Sequence, residues 1–151
     1  MICIDYQEVA QGIVSITSSN YQGGRLATRE LLAAGTKPVL ILNSQNSPVD
    51  QERLRGYKAE LAAANFDFTE IHIFQLNMRQ DETIDTRRLT MRGVLRGLPQ
   101  VVGEAPWGTF AVSAQLTADI LFAAHSLYLS VFEDLKIIGF DDSPIARYSF
   151  P

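Results

Sequence analysis

Polar side chains that follow predicted strands are the residues of this chain best suited to chemistry. Arg53 lies on a predicted helix after the apolar run 38–42, Asp141 is the first acid after the apolar run 135–140, and Ser113 follows a third run. The planar fork of donors of an arginine suits the vicinal hydroxyls of a sugar or a carboxylate. In open α/β sheets, ligands bind beyond the carboxyl ends of the strands. These residues therefore indicate a site for a small polar ligand.

The same residues also have purely structural interpretations, which the sequence leaves open. Arg53 is equally typical of the surface of an amphipathic helix, and Asp141 can cap the turn that follows it, as Asp142 can. Asn20 and Tyr21 stand at another strand-to-helix loop, where they either reach the same cleft or serve as helix cap and packing residue. We favour Asp141 for the ligand and Asp142 for structure.

The sequence contains no recognisable catalytic constellation. His72 and His125 accompany neither a Ser or Cys nucleophile in an elbow motif nor a second ligand at metal spacing. Gly23 and Gly24 begin a predicted helix, yet no Walker or Gly-x-Gly-x-x-Gly pattern surrounds them. The acid pair at 141–142 is similar to that of phosphoacceptor domains, but it follows the last strand and lacks an evident partner lysine. We expect a non-enzymatic protein without metal or cofactor.

The composition narrows the function classes further. The 151 residues suffice for one domain with a sizeable core, and 46% of them are hydrophobic and 20% charged, as in soluble globular proteins. A net charge of −4 provides no extended phosphate-neutralising surface, so this segment is not expected to bind DNA by itself. No apolar window of about 18 residues and no secretion signal is evident. The single cysteine, Cys3, fits a buried thiol in a reducing compartment, and we expect a cytoplasmic protein without membrane contact.

Apolar runs of strand length alternate with amphipathic segments of helix length, which is typical of a parallel sheet with helices on its faces. The continuous run 38–42 predicts a strand covered on both faces, at the centre of the sheet. The pattern therefore predicts a three-layer α/β fold with a mostly parallel sheet. The predicted strands are 2–5, 12–17, 38–42, 71–76, 110–112 and 135–140, and the predicted helices are 23–34, 48–64, 81–98 and 115–129.

Four segments in this order resemble the regulatory core of the lactose-repressor (LacI/GalR) family of bacterial transcriptional regulators, which shares its fold with periplasmic sugar-binding proteins. They run almost the length of the chain, and the last is the most specific. They are a glycine-containing helix start at 20–28 with a leucine pair and a stop glycine at 31–35, an Arg-x-x-Gly-aromatic pattern at 53–61, a strand-to-helix turn at 110–118, and the stretch 133–142 followed by Pro144, Ala146, Tyr148 and Pro151.

The resemblance implies a role for each candidate site residue. In the family an effector binds between two lobes; Arg53 matches its effector-contacting arginine, and Asp141 matches a carboxylate that accepts hydrogen bonds from ligand hydroxyls. At the turn where the family usually reads Asn-Asp or Ser-Asp, this chain has Ser113 and Ala114, so the acid is absent and a hydroxyl remains. The implied effector-binding residues are Arg53, Asp141, Ser113, Asn20 and Tyr21.

The resemblance also implies an organisation and partners. The stretch 2–5 matches the crossing from the first lobe into the second, so residues 1–151 are expected to form a single effector-binding lobe of a periplasmic-binding-protein-like fold. The DNA-binding helix-turn-helix and most of the N-terminal lobe would be absent, and operator DNA would be bound only through that missing part. The family's homodimer interface maps onto Leu116, Ile120, Ala123, Ile145 and Tyr148.

Two other interpretations stay open beside an effector-sensing repressor region. One is a lobe of a periplasmic sugar-binding protein, which the lack of a signal peptide disfavours. The other is a dimerisation module whose ligand site has decayed, which Ala114 suggests. A cluster of arginines on the helix 81–98 is interpreted as a solvated face with acids in its first turn, and it comprises Arg87, Arg88, Arg92 and Arg96.

Overall fold

A computed structural model describes residues 2–4, 14–43, 47–79, 81–141 and 143–144. Strands and helices alternate along these residues, as the pattern predicts. The elements are β1 Ile2–Ile4, β2 Val14–Ile16, α1 Asn20–Ala33, β3 Lys37–Asn43, α2 Pro48–Ala63, β4 Ile73–Leu76, α3 Ile84–Val102, β5 Trp107–Ala111, α4 Ala114–Ser126 and β6 Leu135–Ile138.

Four of these strands form a parallel sheet in the order β4-β3-β5-β6. Leu40 of β3 is in register with Ile73 of β4 and with Phe110 of β5, so the carboxyl ends of neighbouring strands meet along one edge. Val39, Leu40 and Ile41 are 0% exposed, which confirms that β3 is a central strand covered on both faces. The strands β1 and β2 pair in parallel as a separate two-stranded sheet.

Helices cover both faces of the four-stranded sheet. The crossover through α2 runs from β3 outward to β4, whereas the crossovers through α3 and α4 run in the opposite direction along the sheet. Because parallel crossovers are right-handed, this reversal puts α2 on one face and α3 with α4 on the other. In agreement, α1 packs against α2, and α3 packs against α4. The predicted three-layer α/β fold is confirmed.

Local hydrogen bonds explain where element bounds differ from the predicted ones. The hydroxyl of Thr83 accepts a hydrogen bond of 3.2 Å from the backbone N–H of Thr86, so α3 begins at Ile84 and not at 81. Thr69 and His72 form a capping box around a short 3-10 turn at Glu70–His72, so β4 begins only at Ile73. His72, predicted in a strand, is therefore a buried capping residue.

The predicted dimer-interface residues of α4 require correction. Leu116, Ile120 and Ala123 are at most 1% exposed, because the helix turns these side chains into the core between the sheet and α3. A side chain with no exposed surface cannot contact a partner while the domain keeps this fold. Ile145 and Tyr148 lie outside the described residues.

The predicted solvated arginine face of α3 is also wrong in part. Arg87 donates to the carboxylate of Asp119 on α4, with only 15% and 9% of their side chains exposed. The guanidinium carbon of Arg88 lies 3.7 Å from the centre of the Phe122 ring. A buried carboxylate needs a counter-charge, and α3 supplies it.

No helix in the described part of the chain is long and apolar enough to cross a membrane.

Candidate functional site

Two glycines let α1 and α2 cross with their backbones in contact. A Cβ atom on Gly24 would lie 2.2 Å from the carbonyl oxygen of Arg53, and one on Gly56 would lie 2.1 Å from the carbonyl oxygen of Tyr21. Both distances are far shorter than any real contact of a Cβ atom. Because these positions lack side chains, the first turn of α1 reaches the second turn of α2, which carries Arg53.

Arg53 joins three separate parts of the sequence at the carboxyl edge of the sheet. The residue is 6% exposed. Its Nε donates to the Oδ1 of Asn20 at 3.0 Å, its Nη1 donates to the carbonyl oxygen of Val112, and its Nη2 lies 3.5 Å from the Oδ1 of Asp141. The structure thus brings Asn20, Arg53 and Asp141 together, as expected of residues that follow parallel strands.

An aromatic ring completes the surroundings of this arginine. The guanidinium carbon of Arg53 lies 3.5 Å from the centre of the Phe140 ring, within the range of a cation–π contact. Phe140 ends the predicted strand 135–140 and was not among the predicted site residues, because an aromatic residue in a strand is most often a core residue. The stretch 133–142 was the available signal, since it places an aromatic side chain directly before the candidate acid.

Asp141 is the part of the cluster that faces solvent. Its side chain is 52% exposed, compared with 7% for that of Arg53. Its φ of 72° lies in the left-handed region, which Asp adopts more readily than most residues. A half-exposed carboxylate next to a buried guanidinium can accept hydrogen bonds from a ligand while it stays paired. Asp142, which was assigned a structural role, lies outside the described residues.

A cleft of about 270 Å³ lies beside this cluster, at the first turns of α1 and α2. Its side chains are mainly hydroxyls and amides, which both donate and accept hydrogen bonds, as hydroxyl-rich ligands do. Asn20 belongs to the cleft and to the Arg53 cluster alike, and Tyr21 lines the cleft while Arg55 lies over its ring. The cleft is lined by Thr17, Ser18, Ser19, Asn20, Tyr21, Gln22, Pro48, Val49 and Glu52.

Ser113 lies beside the cluster, and its side chain caps the helix α4. Its hydroxyl accepts a hydrogen bond of 3.3 Å from the backbone N–H of Leu116, and it is the N-cap of α4. The preceding residue, Val112, provides the carbonyl oxygen to which Arg53 donates. The next residue, Ala114, is 6% exposed and carries no polar group. This turn therefore contributes a backbone acceptor to the cluster.

Charges around the α1–α2 crossing are arranged in two groups. Burial raises the pKa of the Asp50 carboxyl, while the nearby charge of Arg53 acts in the opposite direction. Farther along α2, Glu60 receives hydrogen bonds of 2.8 Å from Arg29 and from Arg25 of α1, and these lower the pKa of its carboxyl. Among the described residues, no group of three or more His, Cys, Asp or Glu side chains is placed to hold a metal ion.

The chain is similar in sequence to a known protein family and to transcriptional regulators. Residues 28–151 match the family described as the periplasmic binding protein-like domain. The chain is 31% identical over 133 residues to the HTH-type transcriptional regulator CelR of Thermobifida fusca. This match covers 87% of this chain and 36% of that protein. The chain is 27% identical over 152 residues to the ribose operon repressor of Halalkalibacterium halodurans, covering all of this chain and 42% of that protein.

A solved structure of similar fold is that of a complex with a sugar. The complex of the transcriptional regulator CelR with cellobiose has a TM-score of 0.74 and 26% identity, covering 97% of this chain and 43% of that one. This chain therefore spans about two fifths of the length of the relatives that it matches.

Proposed function

The chain belongs to the periplasmic binding protein-like domain family, within the lactose-repressor (LacI/GalR) group, and on that premise we propose that it is the effector-sensing region of a transcriptional regulator. It would supply one lobe of a two-lobed clamp. Operator DNA would be bound by a helix-turn-helix outside this sequence, in the cytoplasm, and the region itself would catalyse no reaction. An effector that bridges the lobes would change their angle and with it the affinity for the operator.

The cluster around Arg53 is the observation that carries this proposal. A guanidinium 6% exposed, bonded to Asn20 and Val112 and paired with a half-exposed Asp141, is a preorganised polar group at the edge where α/β sheets bind ligands. A surface arginine of an amphipathic helix would have none of these partners. The geometry therefore favours the ligand-related interpretation of Arg53 over that of a solvated surface arginine, and we propose Asp141 for the same site.

We propose a sugar or a related polyol as the effector class. The cleft beside the cluster presents hydroxyls and amides, and Asp141 adds an acceptor that suits vicinal hydroxyls. The cellobiose complex named above is a relative whose ligand has the same chemistry. Ala114 removes an acid that the family usually has, so the hydroxyl contacts at that turn would differ from the usual ones.

Binding of cellobiose, ribose and sucrose to the protein, measured by calorimetry, tests this proposal. We expect one of these sugars to bind, and Asp141→Asn to weaken that binding about tenfold to a hundredfold, because a charged acceptor contributes about 1.5–3 kcal/mol. Asn also tolerates the left-handed backbone at this position, so the fold is kept. Asp67→Asn, in an exposed loop after α2, is the matched control and should bind like the wild type.

Two results would contradict the effector proposal. Equal affinities of the Asp141→Asn and Asp67→Asn variants would remove Asp141 from the site. A wild-type protein that binds none of the three sugars would instead support a dimerisation module with a decayed ligand site.

We also propose that the protein is a homodimer through exposed apolar side chains of α3 and α4. Ile84 and Leu89 of α3 are 65% and 66% exposed, and Phe122 of α4 is 40% exposed with Arg88 stacked on it. A contiguous apolar surface on two neighbouring helices would be typical of one that a partner covers. We propose these residues for the interface in place of Leu116, Ile120 and Ala123, whose side chains are buried in the core.

Sedimentation velocity tests the homodimer. The wild type should sediment as a dimer at micromolar concentration, and Leu89→Lys should shift it to monomer, because a charge would have to be desolvated in the interface. Leu26→Lys is the control, since Leu26 is 54% exposed on α1, on the opposite face of the sheet. A monomeric wild type, or dissociation caused equally by both variants, would contradict this interface.

A further inference from the structure

We infer that Phe140 is a positioning residue for Arg53 and that Gly23 provides the space that its ring needs. The ring would fix the plane of the guanidinium, so that its nitrogen atoms are aimed at Asn20, Val112 and Asp141. The consequence for ligand binding rests on the proposed function, whereas the positioning itself follows from the geometry.

The partners of Arg53 divide into edge contacts and a face contact. Asn20, Val112 and Asp141 meet the nitrogen atoms around the edge of the guanidinium. Phe140 meets its face, with the guanidinium carbon 3.5 Å from the ring centre. The edge contacts resist tilting of the plane only as far as hydrogen bonds resist bending, and a ring packed on the face adds a direct steric barrier to that tilt. Phe140 itself packs against the hydrophobic core, which limits the movement of its ring.

Gly23 is shaped to this ring. A Cβ atom at Gly23 would lie 2.3 Å from Cε2 and 2.7 Å from Cζ of Phe140. Any other residue at this position would push the ring away from its place on Arg53. Neighbouring glycines of α1 thus have separate tasks: Gly24 admits the backbone of α2, and Gly23 admits the aromatic ring. Close packing therefore accounts for both glycines.

The ¹H–¹⁵N signal of the Arg53 Nε–H group tests the inference directly, after its assignment with Arg53→Lys. In the wild type we expect this proton to be displaced upfield by the ring current of Phe140 and to exchange slowly with water. Phe140→Leu keeps an apolar side chain but removes the ring; the upfield displacement should be lost and exchange should become about tenfold faster, as for the loss of a cation–π contact. Gly23→Ala, which displaces the ring, should change the same signal.

The stacked pair of Arg88 and Phe122 is the matched control. Phe122→Leu should move the signal of Arg88, over which its ring lies, and leave that of Arg53 unchanged. A wild-type Arg53 signal without upfield displacement, or a Phe140→Leu variant with the wild-type Arg53 signal, would overturn the inference. Neither result requires a bound ligand, and neither is inferred only from a loss of stability in a variant.

Sugar binding then separates this inference from the proposed function. If the wild type binds one of the three sugars, Phe140→Leu should weaken that binding about tenfold or more while Phe122→Leu does not. Equal binding by both variants would overturn the role of Phe140 in the ligand site. If no sugar binds and the Arg53 signal behaves as expected, the proposed effector class fails and the positioning role stands.

Discussion

Replacing Gly56 with alanine should lower the free energy of unfolding by about 2–3 kcal/mol, although alanine is the better helix former. A Cβ atom at this position would lie 2.1 Å from the carbonyl oxygen of Tyr21 and 2.9 Å from the amide nitrogen of Arg25. Both are backbone atoms of α1, so no side-chain rotation relieves the clash, and the two helices must separate. The steric cost therefore outweighs the gain in helix propensity, which is about 1 kcal/mol.

Gly93 in α3 is the matched control for this prediction. It also lies inside a helix, but nothing lies within 4 Å of a Cβ atom placed there. Gly93→Ala should therefore leave stability unchanged or raise it by about 0.5–1 kcal/mol. Urea unfolding followed by circular dichroism measures both variants. If Gly56→Ala proved as stable as Gly93→Ala, the backbone contact between α1 and α2 would not exist as described.

The fold was largely predictable because its signals are local. The apolar run 38–42 predicts a strand buried on both faces, and β3 is one. Pro48 after a polar loop predicts a helix start, and α2 begins there with the hydroxyl of Ser47 accepting from Asp50. Each of these signals depends on a few neighbouring residues, so no knowledge of distant contacts is required.

The orientation of side chains was less predictable because it depends on distant partners. The helix α4 is apolar around much of its surface, so its periodicity did not show which side faces the core. Leu116, Ile120 and Ala123 were therefore assigned to a dimer interface, although their side chains are buried in the core of the domain itself. In the same way, nothing near Arg87 in sequence indicates the buried carboxylate of Asp119 with which it pairs.

The site was predictable as a set of residues but not as a geometry. Strand ends and the family resemblance together indicated Asn20, Arg53 and Asp141, and the fold brings these residues into contact. The roles of Gly23 and Phe140 could not be read from the sequence. A glycine shows that a side chain is absent, but only the structure shows which atoms use the space.

Arg53→Met should destabilise the protein by about 3 kcal/mol, because it leaves the polar atoms around the guanidinium without their donor. Methionine keeps most of the volume of the buried stem but donates no hydrogen bonds. The Oδ1 of Asn20 and the carbonyl oxygen of Val112 would each lose the donor that Arg53 supplies, and a buried unsatisfied acceptor costs about 1–3 kcal/mol. Asp141 adds little to this cost, since half of its side chain is exposed and water can replace the pair.

Arg55→Met, two positions along α2, separates this effect from the general loss of an arginine. The side chain of Arg55 is 64% exposed and pairs at 2.7 Å with Glu52, an interaction that contributes only about 0.2–1 kcal/mol at a surface. Urea unfolding should therefore show Arg55→Met within about 0.5 kcal/mol of the wild type. Asp141→Asn should also stay near the wild type in stability. An Arg53→Met variant as stable as Arg55→Met would mean that Arg53 does not hold the strand ends together, and its place in the effector site would then have to be argued from ligand binding alone.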